Sequence, residues 1–138
     1  MSVPVNERSH GKLEACVKAR DLCVYTLRIT KNPKVFKPEF QNALTDKIID
    51  AALDVQNLSW SANNLLVNSA EDLRQRLEYQ ERAANACNTL LSLIEISKPI
   101  FHLATKRVTY WSGLAIDTRK LLRAWKDADR KRYSAKFK

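Results

Sequence analysis

Four cations recur near the carboxyl terminus at steps of four, three and four residues: Arg119, Arg123, Lys126 and Arg130. On a helix turning about 100° per residue they fall within roughly 60° of one another, so one side of that helix presents four positive charges. The chemistry open to such a stripe is phosphate contact, which is strong in affinity, weak in sequence preference and steeply salt-dependent. Lys131, Arg132, Lys136 and Lys138 extend the positive field past it, and Lys106 and Arg107 stand at its start. Lys12, Lys18, Arg20, Arg28 and Lys31 form a second basic element near the amino terminus. The candidate nucleic-acid contacts are therefore Lys106, Arg107, Arg119, Arg123, Lys126, Arg130, Lys131 and Arg132, joined by Lys18, Arg20 and Arg28. The competing account is a solvated face whose cations favour a helix C-terminus.

The distribution of charge along the chain argues against that plainer account. Residues 98–138 hold twelve Lys/Arg against three Asp/Glu and so account for the whole net charge of +9. Residues 1–40 carry eight bases against four acids, and residues 41–97 carry four against eight. Mixed charge would suffice for solubility, whereas segregated charge attracts polyanions. Asp46, Asp50 and Asp54, four residues apart, form an acidic stripe that the basic helices of another subunit would fit. Self-assembly by charge complementarity is thus a second use of the same pattern, compatible with the first.

Other residues with chemical potential are scattered. His10 and His102 are isolated, and the three cysteines are widely spaced, so no metal set or nucleophile constellation is expected. Cys16 and Cys23 lie seven residues apart, on one helical face, as small core residues; Cys87 falls on another apolar seam. Trp111 and Trp125 also fall on a seam and read as core rather than as stacking platforms. Trp60 and Tyr79 lie off the seams, at positions suited to a subunit interface. Asn63 and Asn64 suit a loop or a cap.

The elements that carry these residues follow from composition and period. A chain of 138 residues fits one domain. With only two glycines and four prolines, it has few places to turn, and it lacks β-branched runs. An odd number of spaced cysteines points to a reducing compartment, hence the cytoplasm. No secretory leader and no membrane-spanning apolar run is recognisable.

Punctuation then predicts four helices, over about 12–31, 39–68, 70–97 and 106–132, between a flexible 1–11 and a basic tail 134–138. Their apolar seams are Cys16, Ala19, Cys23 and Leu27; Leu44, Ile48, Ala51, Val55, Leu58, Ala62 and Leu65; Leu73, Leu77, Gln80, Ala84, Cys87, Leu91 and Ile94; and Val108, Trp111, Ala115, Thr118, Leu122 and Trp125. Ser69 with Asp72 resembles a capping box for the third helix, Pro99 closes it, and Thr105 caps the fourth. Four narrow stripes with short connections bury one another best as an antiparallel up-down four-helix bundle spanning 12–133, an all-α fold. In that arrangement the first and fourth helices are neighbours and their basic residues share one surface.

Lys18-Ala19-Arg20-Asp21-Leu22, Asn63-Asn64, Lys106-Arg107-Val108 with Tyr110-Trp111, and Ala124-Trp125-Lys126 running into Asp129-Arg130-Lys131-Arg132 resemble bacterial four-helix-bundle proteins over residues 16–132. The resemblance is to the accessory variability determinant (Avd) proteins of diversity-generating retroelements, relatives of the bundle proteins encoded in ribosomal RNA intervening sequences. It implies a homopentameric basic barrel that binds a reverse transcriptase and nucleic acid, template RNA or cDNA, and supports mutagenic reverse transcription. It implies no active site and no cofactor. One departure lies after the first helix, where Lys37 separates Phe36 from Pro38 and the family has the aromatic directly before the proline. The alternative function is an oligomeric protein-interaction scaffold without nucleic-acid binding. An enzyme is disfavoured because the seams leave no converging titratable groups.

Overall fold

The apolar stripes close on one another. The structure of the chain, a computed structural model, describes residues 5–137 and the side chains of residues 14–137. Residues 1–4 of the segment expected to be flexible, Lys138 of the basic tail, and the side chains of His10 and Lys12 lie outside the described residues. Helix α1 spans Val5–Thr30, α2 Asp46–Asn64, α3 Ala70–Phe101 and α4 Thr105–Ser134, with no strand among the described residues. Helices α1 and α3 each pack against both α2 and α4, so the four close a ring around one core.

The seam of α1 differs from the expected one. Ala15, Ala19, Leu22, Cys23, Thr26 and Thr30 are buried, whereas Leu27 is exposed and Cys16 half-buried. The cause is the two threonines. Their hydroxyls donate to the backbone carbonyls of Leu22 and Thr26 at 2.8 Å, which removes the cost of burying them. The Thr26 hydroxyl also accepts from Trp111 Nε1 at 2.9 Å, so a polar side chain occupies the position where an apolar repeat would place leucine. The seam expected for the second helix is buried at Leu44, just before α2, and at Ile48, Ala51, Val55 and Ala62, and half-buried at Leu58 and at Leu65, just past its end. On α3 Gln80, Ala84, Cys87 and Ile94 are buried and Leu73, Leu77 and Leu91 half-buried; on α4 every expected position from Trp111 to Trp125 is buried.

Helix ends follow local chemistry. Lys37, forced out of the helical region by the proline after it, is extended (φ −64°, ψ 136°). A 3₁₀ turn at Pro38–Phe40 and a π turn at Gln41–Thr45 follow, so the regular α2 begins at Asp46 rather than Glu39. Ser69 caps α3 as expected, its hydroxyl accepting from the Asp72 N–H at 3.1 Å, while the Asp72 carboxylate accepts from the Asn68 N–H at 3.0 Å. Pro99 does not close α3. The proline forfeits one backbone bond to the preceding turn, and the helix continues to Phe101 before His102 turns left-handed (φ 53°) and its N–H bonds the Lys98 carbonyl. Thr105 is the first residue of α4, with Ala104 at the cap and no side-chain bond there. Phe36 packs on Phe101 (4.8 Å between centroids) and Trp111 (6.2 Å), fastening the connection after α1 to the turn between α3 and α4.

Candidate nucleic-acid interface

The stripe on α4 lies along the groove with α3. Arg119 donates to Asn88 Oδ1 at 2.7 Å, and Lys126 Nζ to Glu81 Oε2 at 2.8 Å, both partners belonging to α3. Arg119 and Lys126 are half-buried, while Arg123 and Arg130 are exposed. Arg130 pairs with Asp127 of its own helix at 3.4 Å. Arg123 makes no ion pair among the described residues, yet its charge, with those of Lys126 and Arg130, helps hold the Glu81 carboxyl below the usual carboxylate value, the Lys126 hydrogen bond being the main cause. The side therefore reads as four cations with two acids, Glu81 of α3 and Asp127 of α4. Partner numbers fall on α3 as they rise on α4: Asn88 meets Arg119, Glu81 meets Lys126 and Gln80 meets Asp129.

Beneath the stripe is a polar network that the apolar repeat did not reveal. Asp129 is fully buried and accepts from Gln80 Nε2 at 2.8 Å. Arg76, also buried, approaches the same carboxylate at 3.7 Å and donates to the backbone carbonyls of Ala62 (3.1 Å) and Leu65 (2.8 Å) at the end of α2. One guanidinium thereby satisfies carbonyls that the helix terminus would leave unpaired and links three helices. The second carboxylate oxygen has no hydrogen bond and lies 3.7 Å from Arg132, the residue three positions on. Asp129 stands one step of four beyond Trp125, the next position of the α4 seam, and that spacing was the available signal.

The other candidates are dispersed. Helix α1 meets α4 through Trp111 bonded to Thr26, Thr118 bonded to the Lys18 carbonyl (3.3 Å) and Arg107 bonded to the Tyr25 hydroxyl (3.4 Å). Arg119 and Lys126 of the stripe bond to α3 instead, whereas Lys106 and Arg107, at the start of α4, border α1. Lys18 borders a cleft with Glu14, Val17 and Leu121, and Arg20, paired with Asp21 at 3.6 Å, borders another with Trp60. Arg28, Lys106 and Lys131 are exposed. Lys106 and Arg107 line a third cleft with Tyr25, Ala104 and Tyr110.

Of the remaining residues, Cys23 and Cys87 are buried and free; burial pushes the Cys23 thiol up and the Cys87 thiol up to about 12. Trp111 and Trp125 are core residues, as their seam positions predict. Trp60 is 56% exposed, whereas Tyr79 packs partly buried against the core. Among the described residues no group of three or more His, Cys, Asp or Glu is placed to hold a metal ion. None of their helices is long and apolar enough to cross a membrane. No family model, curated protein or solved structure matches the chain.

Proposed function

We propose that this chain is a nonenzymatic accessory protein that oligomerises through its helices and offers the cationic side of α4 to RNA or DNA. The observation that carries the reading is the concentration of the entire net charge in residues 98–138, with Arg123 exposed among the stripe and no ion pair holding it among the described residues. The resemblance to retroelement accessory proteins extends the proposal to a cytoplasmic antiparallel bundle, assembled as a homopentamer, that presents template RNA or cDNA to a reverse transcriptase. The falling and rising partner numbers across α3 and α4, and the ring of helix contacts, support the antiparallel part of it.

Nucleic-acid titrations at several salt concentrations test the reading. Four phosphate contacts predict a slope of log affinity on log salt of about −3 to −4 with duplex DNA, and Arg123→Glu with Lys126→Glu reduces that slope by about 2 for every sequence alike. Affinity indifferent to salt and to both substitutions overturns it. A second reading, a protein-interaction scaffold, is favoured by the exposed apolar residues Val24, Leu27, Trp60 and Ile96. It predicts that light scattering detects loss of assembly in the same charge-reversed variant, with no nucleic acid retained at moderate salt.

A further inference from the structure

The cleft between α1 and α4 combines an exposed aromatic ring with a pair of cations and has no acid among its lining residues. Its walls are Tyr25, Ala104, Lys106, Arg107 and Tyr110, around a volume of about 380 Å³. That lies within the roughly 300 to 1,000 Å³ typical of small-ligand sites. The aromatic wall is built outward from the core. Trp111 is fully buried and fixed by its bond to Thr26; Tyr25 packs edge-on against it at 6.5 Å; Tyr110 packs on Tyr25 at 5.0 Å with an interplanar angle of 64°. Exposure rises along this series to 57% at Tyr110. An edge-to-face contact occupies at most one face of a ring, so the second face of Tyr110 is available to a planar partner.

We propose that this cleft is a stacking site for one unpaired base of a single-stranded nucleic acid, Tyr110 carrying the base and Lys106 with Arg107 the adjoining phosphate. The inference rests on the nucleic-acid reading above and adds a preference to it. A duplex keeps its bases stacked on one another and meets only the cations, whereas an unpaired base adds the ring contact. Arg107 serves both purposes. One of its five N–H donors holds the Tyr25 hydroxyl at 3.4 Å, and the rest of the fork remains for a phosphate oxygen. An apolar protein segment would also cover the rings, but it offers nothing to two neighbouring cations, which favours the polyanion.

The experiment compares fluorescence anisotropy of a labelled single strand of about 12 nucleotides with that of the same sequence as a duplex, for the unaltered protein, Tyr110→Ala, Tyr110→Phe and Lys106→Gln. Tyr110→Ala is expected to weaken single-strand binding about fivefold to a hundredfold and to leave duplex binding within about twofold, while Tyr110→Phe keeps the preference. Lys106→Gln is expected to reduce the salt slope for the single strand by about 0.7. Circular dichroism and light scattering on each variant check fold and mass. Retained single-strand affinity in Tyr110→Ala, or an equal loss on both strands, overturns this inference alone. So does unchanged nucleic-acid affinity accompanied by altered self-association, which assigns the rings to a protein contact. An unaltered protein that binds neither strand overturns the nucleic-acid reading as well.

Discussion

The core around Trp111 and the core around Asp129 are held by opposite means. Around Trp111, Phe36, Phe40, Phe101 and Tyr25 meet ring on ring at centroid distances of 4.8 to 6.5 Å. Around Asp129, a carboxylate, an amide and two guanidinium groups meet by charge and hydrogen bond. Ring packing gains stability from area removed from water and tolerates small displacement. A buried carboxylate tolerates none, because a shift of one residue would leave it and Arg76 unpaired. The aromatic region therefore supplies adhesion and the charged region supplies register. Register matters to the candidate interface, since Lys126 and Arg130 lie within one turn of Asp129 and their direction follows from its anchorage.

The largest effect should come from breaking that anchorage. Asp129→Leu leaves Arg76 buried without its anion and is expected to cost about 3–5 kcal/mol in urea unfolding. Adding Arg76→Met removes the stranded charge and recovers part of the loss; the recovery is incomplete because the Ala62 and Leu65 carbonyls lose their donor. Strict additivity of the two substitutions would remove the distinction between the regions. Phe36→Leu, in the aromatic region, is expected to cost about 1–2 kcal/mol, with no second substitution at Phe101 able to restore it. Its measurement is the same unfolding curve, and a rescue there would again erase the contrast.

How much of this was legible in the sequence differs between the same two regions. The α4 seam from Trp111 to Trp125, the α2 seam and the Ser69 cap all follow from period and local hydrogen bonding, which act within a few residues. Leu27 was misplaced because period alone cannot tell a leucine from a threonine that bonds its own helix, and Thr26 won the buried position. Pro99 was misread because a proline gives up only one backbone bond to the turn before it, which the long α3 tolerates before ending at Phe101. Asp129 was hidden for a different reason: its burial depends on Gln80 and Arg76, 49 and 53 positions earlier in the sequence. The stripe on α4 was visible as four cations, but its neighbour was not, since only the packing decides whether α3 or α1 lies beside it.

The smallest effect sharpens the comparison at its exposed edge. Glu81 holds Lys126 on the surface much as Asp129 holds Arg76 inside, but its side chain is 43% exposed, so water screens the pair. Lys126, the first cause, lowers the Glu81 pKa in the folded chain. A lowered carboxylate pKa contributes stability that is present above the unfolded value and is lost as pH falls through the folded one. Glu81→Gln should therefore cost no more than about 0.5 kcal/mol at neutral pH and should flatten the acid side of the stability profile. The same change releases the Lys126 ammonium and removes the α3 acid beside Arg123 and Arg130, leaving Asp127 on Arg130, so duplex affinity at low salt should rise about twofold to threefold. A surface acid that weakens binding while adding little stability is what an interface needing release would carry, in contrast to Asp129. Unchanged affinity in Glu81→Gln would mean that Lys126 faces no phosphate, and would shift the contact surface toward Arg123 and the residues beyond Arg130.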